Sequence, residues 1–360
     1  MNKQRRGRSA ASMHPIIIVL LTVCAALLTV LILILLLGRS SMVDDGNRHG
    51  EKQTQSSVVE AGAEQEAESE VSKEPESEDE DSKESSSESE EGLDADHLYV
   101  HFIDVGQGDA TLFVQGEHAM LVDTGSASST AAASTRDLLK YLEEQKIRKL
   151  DYLLLTHGHE DHIGRAIDVM REYEIGQLIA DFGNAEGYVT NTMDMAEYIG
   201  LDILKPEGGE ELELGDAKIE ILTGRVASIP ASGEETTDVN NQSIGIRATF
   251  GDISFLLYGD GENSYEKYLL SLDVRLKSDV LKVPHHGFEA SLCDEILDKI
   301  HPKFAVISSA KKSNFGFPSD VTLQKLGLSE VTTFCTNRLG NIVAETDGTD
   351  ITWSTNDKGK

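Results

Sequence analysis

Apolar and polar residues follow three different patterns along this chain, and the first is a continuous apolar run. Residues 16–37 contain no charged residue. As a helix this run is about 33 Å long, enough to cross a bilayer core of roughly 30 Å. Basic residues in segment 1–15 precede it and acidic sequence follows it, which favours an N terminus inside and the remainder of the chain outside.

We therefore predict a transmembrane signal-anchor helix over 16–37, with the soluble part of the chain on the extracytoplasmic side of the cell membrane. The alternative is a cleavable signal peptide. Such a peptide usually has an apolar region of only about 7–15 residues, and the sequence LGRSSM that follows this run is a poor cleavage site.

Residues 38–96 have the composition of a disordered linker. Within them, segment 64–91 consists largely of Glu and Ser. Such a segment buries too little apolar surface to compensate for the entropy lost on ordering. We expect a solvated spacer that holds the following domain away from the membrane.

In residues 97–360, short apolar segments alternate with segments of helical periodicity. Two halves, each with strands followed by helices, favour two sheets packed face to face and covered outside by helices. Strands are predicted at 98–105, 110–115, 118–125, 150–156, 177–181, 212–222, 243–250, 253–260, 278–286, 304–310, 331–335, 341–345 and 351–354, with the second and third forming a hairpin. Helices are predicted at 135–147, 164–175, 191–200, 262–272, 290–300 and 319–326.

Charge and cysteine content narrow the functions that this domain can have. The full chain carries a net charge of −31, of which −20 belongs to residues 97–360. A domain this acidic lacks the basic stripe that drives tight binding to duplex DNA. Its two cysteines, Cys293 and Cys335, match no zinc-finger spacing, and the sequence leaves open whether they pair. Any metal site must therefore use histidine and carboxylate ligands.

The stretch 156-THGHEDHIG-164 places several metal-binding side chains at the end of an apolar strand. His157 and His159 are two apart, so they point the same way from an extended loop. Asp161 and His162 follow one turn later and can face a second ion. Chance enrichment of histidine in a surface turn is the alternative, and the H-x-H-x-D-H order after an apolar strand argues against it.

Two later strand ends offer the ligands that this turn lacks. Asp260 is placed to bridge two ions, and His285 and His286 end another strand. Glu160 is not expected to be a ligand, because the alternation points it away. Two neighbouring ions can share a hydroxide, since a metal-bound water reaches a pKa of ~7. We predict two divalent ions, with zinc favoured and manganese or iron as alternatives, and Asp161 and Asp260 as catalytic residues.

The H-x-H-x-D-H motif resembles the metallo-β-lactamase superfamily, and the whole soluble domain resembles the hydrolase domain of ComEC-type competence (DNA-uptake) proteins. The segments that carry this resemblance are 103-IDVGQGDATLF-113, 121-LVDTG-125, 155-LTHGHEDHIG-164, 240-NNQSIGIRATFGDISFLLYGD-260, 280-VLKVPHHG-287 and 347-DG-348. The resemblance implies an α/β fold, an αββα four-layer sandwich that usually holds two metals. The ligands that it implies are His157, His159, Asp161, His162, Asp260 and one of His285 and His286, with His285 slightly favoured.

The same resemblance implies supporting roles outside the ligand set. Asp123 is expected to orient a ligand histidine, a role that such ligands usually need filled. Asp104 and Asp109 flank a glycine turn and either act likewise or only shape that turn. Asn241 matches a polar position of the ComEC-like pattern, within a region, 163–259, that contains no histidine.

Three departures from the pattern lie on the expected substrate side, namely Arg165, Phe288 and the pair Phe317-Pro318. We predict a membrane-anchored metal-dependent hydrolase in which a metal-bound hydroxide attacks a phosphodiester. The resemblance implies nucleic acid as substrate, and the acidic charge fits short single strands or small phosphodiesters better than duplex DNA. An ester, lactone or amide hydrolase and a metal-dependent binding or sensing module are the alternatives. No protein partner can be inferred from the sequence.

Overall fold

A computed structural model describes residues 94–127, 138–183, 187–226, 228–229, 234–235 and 238–356. No helix in these ranges combines the length and the apolar character needed to cross a membrane. The predicted segment 1–15, the anchor helix 16–37 and all but the last three residues of the linker 38–96 lie outside the described residues, so these three assignments stay predictions.

The described strands and helices are numbered in chain order. The strands are β1 (Leu98–Phe102), β2 (Thr111–Gln115), β3 (His118–Val122), β4 (Lys149–Leu154), β5 (Glu174–Ile179), β6 (Ile203–Leu204), β7 (Glu211–Leu214), β8 (Ala217–Thr223), β9 (Ser228–Ile229), β10 (Glu234–Glu235), β11 (Gly245–Phe250), β12 (Ile253–Leu257), β13 (Val280–Lys282), β14 (Phe304–Ile307), β15 (Thr332–Cys335), β16 (Ile342–Thr346) and β17 (Ile351–Thr355). The α-helices are α1 (Leu138–Glu144), α2 (Glu160–Ile163), α3 (Ala166–Glu172), α4 (Tyr188–Ile199), α5 (Asn263–Ser271), α6 (Asp294–Ile300), α7 (Asp320–Leu328) and α8 (Thr336–Leu339), and 3-10 turns cover Asn240–Gln242 and Pro284–Gly287.

The larger strands form two mixed sheets, and β9 and β10 pair separately. The first sheet has the order β17-β16-β1-β2-β3-β4-β5-β6, antiparallel from β17 to β3 and parallel from β3 to β6. The second has the order β15-β14-β13-β12-β11-β8-β7, parallel from β15 to β12 and antiparallel beyond. The predicted hairpin of β2 and β3 is confirmed.

Three hydrophobic clusters show that the sheets lie face to face between helices. Strand β2 illustrates the pattern, because successive side chains point to opposite faces. Phe113 packs edge-on against Phe255 of the other sheet, with ring centroids 6.3 Å apart. Leu112 and Val114 instead join the cluster that includes helices α1, α3 and α4. A third cluster holds α5, α6 and α7 against the second sheet. The α/β sandwich with two sheets and outer helices is confirmed.

The last two strands depart from the simple division into two halves. Strand β16 pairs antiparallel with β1, and β17 pairs with β16, so the end of the chain completes the first sheet rather than the second. Ile342 and Ala344 of β16 are buried in the cluster between the sheets. The sequence predicts these strands, but which sheet they join depends on a pairing across more than 200 residues.

Some element boundaries differ from the sequence prediction. The helix predicted over 164–175 ends at Glu172, and β5 already begins at Glu174 because Tyr173 is extended and Ile175 is buried. The segment 160–163 forms its own short helix, α2, before this one. Residues 135–137 of the first predicted helix lie outside the described residues. Cys293 and Cys335 are both free.

Candidate metal centre

The candidate centre lies where strands of both sheets end. The segment 156–162 follows β4 of the first sheet, while Asp260 and His286 follow β12 and β13 of the second. Parallel strands bring their carboxyl ends to one edge, which is where α/β proteins place their sites. Residues about 100 positions apart in sequence therefore meet in one buried cluster.

The side chains of His157 and His159, which the sequence predicts to point the same way, lie against each other. His157 Nε2 lies 3.1 Å from His159 Nδ1, and it lies 3.9 Å from Asp260 Oδ2. Thr156 Oγ1 contacts the other nitrogen of His157, Nδ1, at 3.1 Å. His157 therefore directs Nε2 toward Asp260, while its Nδ1 stays in contact with the Thr156 hydroxyl.

Asp161, His162 and His286 form a second group, which also approaches Asp260. His286 Nε2 lies 3.2 Å from Asp161 Oδ2, and His162 Nε2 lies 3.2 Å from Asp260 Oδ1. Among the described residues, the sets of buried or half-buried side chains whose donor atoms lie close enough to hold an ion are His157–His162–Asp260, Asp161–His162–His286 and Asp109–Asp260–His286. Asp260, His162 and His286 each belong to two of these sets. Of the three, only Asp260 has two carboxylate oxygens, which suits the bridging role predicted for it.

The geometry distinguishes the two neighbouring histidines at 285 and 286. His286 is buried, and Ser308 O lies 3.1 Å from its Nδ1, so that its Nε2 faces the cluster. His285 is 16% exposed; its Nδ1 lies 3.3 Å from Glu262 Oε1, and its Nε2 lies 3.8 Å from Asp260 Oδ2. The geometry favours His286 over His285, which the sequence slightly preferred, because the turn that carries both residues buries His286 and leaves His285 at the rim.

The residues of this centre fit a divalent cation. Asp260 Oδ1 and His162 Nε2 are buried and neither completes a well-oriented hydrogen bond, although they are 3.2 Å apart. A buried polar atom without a partner costs about 1–3 kcal/mol. A shared cation would satisfy both atoms, because a carboxylate oxygen and an imidazole nitrogen are ordinary ligands of zinc and of other transition metals.

The pKa shifts show that the cluster attracts positive charge. Burial lowers the pKa of His286, but the nearby carboxylates of Asp260, Asp109 and Asp161 outweigh it and raise the pKa to about 10. Burial also lowers the pKa of His162, but the carboxylates of Asp260 and Asp123 outweigh burial and raise this pKa well above its usual value. Burial raises the pKa of Asp161, but His286 brings it to about 2. The carboxylates therefore stay ionised, and a metal ion would supply the positive charge that the protons supply here.

Asp123 is positioned to orient His162. Its Oδ2 lies 2.8 Å from His162 Nδ1, so the opposite nitrogen of that ring faces Asp260. Thr156 donates to both carboxylate oxygens of Asp123, from its backbone N–H at 2.8 Å and from its hydroxyl at 2.7 Å. This is the contact that the sequence predicts for an outer carboxylate behind a ligand histidine.

Asp109 has a partner that the sequence did not suggest. Lys282 Nζ donates to Asp109 Oδ2 at 2.7 Å, and Asp109 Oδ1 lies 3.7 Å from His286 Nδ1. Both Asp109 and Lys282 are buried, and Lys282 together with His286 lowers the pKa of Asp109 against the effect of burial. The only signal for Lys282 is one charged residue in the apolar run 280-VLKV-283, which by itself names no partner.

The remaining predicted residues lie outside the ion-holding sets. Asp104 accepts from Gly106 N, and its own N–H donates to Asn341, as expected for a residue that shapes the turn. Asn241 accepts from Glu262 N and donates to Asp238, and so fixes the segment beside His285. Glu160 accepts from the Ser126 hydroxyl and the Ala127 N–H, which agrees with its predicted direction away from the cluster.

Comparisons with known proteins agree with the fold. The profile of the metallo-beta-lactamase superfamily matches residues 103–310. ComE operon protein 3 of Bacillus subtilis (strain 168) is 30% identical over 262 residues, 68% of this chain and 32% of that protein. Recombination protein 2 of Haemophilus influenzae is 30% identical over 228 residues, 63% of this chain and 26% of that protein. This chain thus matches a third or less of the length of either relative.

Among solved structures, the metallo-beta-lactamase fold protein YhfI from Bacillus subtilis aligns with a TM-score of 0.45 and 14% identity. The alignment covers 69% of this chain and 100% of that chain. The resemblance predicted from the motifs, both to the superfamily and to its competence-protein branch, is confirmed by the profile and the two sequence relatives.

Proposed function

The chain belongs to the metallo-β-lactamase superfamily, and from that premise we propose that it is a metal-dependent phosphodiesterase acting on single-stranded nucleic acid or nucleotides. The observation that carries the proposal is the buried carboxylate of Asp260, whose oxygens lie 3.9 Å from His157, 3.2 Å from His162 and 3.7 Å from His286. His159 contacts His157 and Asp161 contacts His286, so the predicted ligands converge on this carboxylate. Two divalent ions bound there would supply a nucleophile at neutral pH and neutralise charge on the entering and leaving oxygens of a phosphodiester.

The protein's own part in this chemistry is to hold the ligands in one orientation. Asp123 fixes the His162 ring, and the carbonyl of Ser308 fixes His286, so that Nε2 of each ring faces the centre. Across metalloproteins, removal of a group that orients a ligand commonly lowers metal affinity or activity about 10- to 100-fold. Lys282 compensates the charge of Asp109, which keeps an ionised carboxylate beside His286.

Charge and the names of the relatives support the substrate class. One relative is named for recombination, which favours nucleic acid. The domain's net charge of −20 opposes long-range attraction of a polyanion, so short single strands or nucleotides suit it better than duplex DNA. The location proposed for the domain is outside the cell membrane, on the strength of the apolar run 16–37 and its basic flank.

The test uses the full-length chain, purified and loaded with zinc or manganese, and compares His286→Ala with His118→Ala. His118 is an exposed histidine on β3 that pairs with Asp151, away from the centre. Metal content is measured by elemental analysis, and hydrolysis is measured on bis(p-nitrophenyl) phosphate and on a single-stranded oligonucleotide. We expect His286→Ala to bind less metal and to have a kcat/KM lowered at least about 100-fold. Removal of a ligand should reduce activity at least as much as removal of a group that only orients the ligand.

His118→Ala is expected to behave as the unmodified protein. Hydrolysis by His286→Ala at the rate of the control would contradict the metal mechanism. Stoichiometric metal without turnover of either phosphodiester would contradict the proposed reaction, and turnover of an ester or lactone in the same preparation would replace it.

A further inference from the structure

Aromatic rings surround the rim of the candidate metal centre. The aromatic loop, which we define as residues 308–319, contributes Phe315 and Phe317, and Phe288 follows the histidine turn. Ring centroids of Phe288 and Phe317 lie 4.9 Å and 5.6 Å from that of His285. The rings of Phe317 and His286 are 6.1 Å apart at an interplanar angle of 29°. Aromatic surface is therefore continuous with the ligand side chains.

The aromatic loop is fixed to the histidine turn at both ends. Ser308 O lies 3.1 Å from His286 Nδ1, and Ser319 N donates to Gly287 O at 2.9 Å. Gly287 has φ +83°, and a Cβ there would approach Pro318 Cβ to 2.8 Å, so the two segments are in close contact. The position of Phe317 relative to the centre is thus set by backbone contacts rather than by the side chain alone.

Phe315 extends this aromatic surface into solvent. Its ring stacks on Phe317 with centroids 5.6 Å apart and an interplanar angle of 21°, yet 71% of Phe315 is exposed. Phe315, Phe317 and His286 therefore form a series of roughly parallel rings from solvent to the buried ligand. Most of the surface of Phe315 is left in water, where a flat aromatic group can cover it.

Two cations accompany the rings on the same loop. Lys311 and Lys312 are both exposed, in a domain whose net charge is −20. Proteins that bind single-stranded nucleic acid combine aromatic rings, on which the bases stack, with positive charge that attracts the phosphate backbone. In an acidic domain, stacking can supply affinity that overall charge does not.

We propose that the aromatic loop is a nucleobase platform, on which Phe315 stacks a base of a single-stranded substrate whose phosphodiester lies at the metal centre. This proposal adds a binding site for the base to the proposed function, and it rests on the proposed function for the identity of the substrate. It gives the site a preference for unpaired nucleotides without reading a base edge, since every base offers a stacking face.

The experiment measures binding separately from hydrolysis. The full-length, metal-loaded chain is titrated with a fluorescent eight-nucleotide single strand whose phosphorothioate linkages resist cleavage, and with the same strand lacking all bases. The variants are Phe315→Ala and Phe315→Trp, and Tyr198→Ala is the matched control because Tyr198 is an 86% exposed aromatic residue on α4. Cleavage of the ordinary phosphodiester strand is followed in parallel.

We expect Phe315→Ala to weaken binding of the base-containing strand at least about fivefold, the low end for the loss of one base–aromatic stack. Binding of the abasic strand should not change, and Phe315→Trp and Tyr198→Ala should bind as the unmodified protein does. Equal affinity of the unmodified protein for both strands would overturn the platform, as would an equal loss for both strands in Phe315→Ala. Base-dependent binding that needs Phe315, with no cleavage of either linkage, would support the platform and reject the proposed hydrolysis.

Discussion

His101 shows how one buried side chain makes stability depend on pH. It lies on β1 with its Nδ1 2.8 Å from the Tyr141 hydroxyl, and it is almost fully buried. Burial lowers the pKa of His101 from 6.5 to about 4. The unfolded chain therefore binds a proton between these pH values that the folded chain does not.

The sign follows from that difference in bound protons. Stability is fully present above pH 6.5 and falls as pH drops toward 4, by up to roughly 3 kcal/mol from this group. His101→Gln cannot titrate, so we expect its free energy of unfolding to fall less over the same range. Urea unfolding between pH 4 and 7, with chelator present to exclude metal, makes the comparison. Parallel pH profiles for the two proteins would rule out His101 as the titrating group.

For single residues, the sequence predicts which side chains can bind a metal better than it predicts where each of these side chains points. The order of His157, His159, Asp161 and His162 is local, so alternation along one loop fixes which way each points. His285 and His286 are adjacent residues that both have positive φ, 48° and 54°. Their directions depend on the contact with Ser308, which is far along the chain, and the sequence cannot supply it.

Among the structural elements, the glycine turn between β1 and β2 supports the metal-binding loop directly. Asp109 N donates to Asp161 O at 3.1 Å, and Gly108 packs against the same carbonyl. Gly108 has φ +150°, and a Cβ there would clash with Asp161 O. The glycine is thus required by the close approach of two backbones, as well as by its conformation.

Gly108→Ala should therefore weaken metal binding as well as stability. Gly116→Ala is the matched control, since Gly116 also has positive φ, +59°, but a Cβ there meets nothing closer than 3.7 Å. We expect the control to cost about 1 kcal/mol from backbone conformation alone, with unchanged metal affinity. Gly108→Ala should cost more and displace Asp161. Zinc titration and thermal unfolding test this, and equal effects of the two substitutions would contradict it.

Elements were predicted well where their signal is local. The hairpin of β2 and β3 follows from two alternating segments with a short polar turn between them. The two-residue strands β6, β9 and β10 have no such signal, and α2 lies just before the helical pattern predicted at 164–175. These features are decided by neighbours in space rather than by periodicity.

For the whole domain, the candidate centre joins two sheets. Its first ligands follow β4 of one sheet, and Asp260 and His286 follow strands of the other. A bound ion would therefore connect the two halves of the fold, and it would stabilise the folded state in proportion to its binding.

Removal of metal should accordingly lower the thermal stability of the protein. Metal at 100 times its Kd stabilises by about 2.7 kcal/mol, which for a domain of this size corresponds to a Tm change of about 5–10 °C. Differential scanning calorimetry of the chain with zinc, with chelator, and with zinc restored measures the change. A Tm that chelation leaves unaltered would show that no ion bridges the sheets.

The hairpin of β16 and β17 completes the first sheet, so the strands of this sheet are not assembled in the order in which they are synthesised. Every candidate ligand precedes Ile342, so all of them are synthesised before β16 and β17. Until then β1 is an open sheet edge whose backbone groups can pair with another chain. β1, the first of the described strands, therefore gains its second neighbour only once β16 has been made, and the ligands are complete before the sheet that supports them is closed.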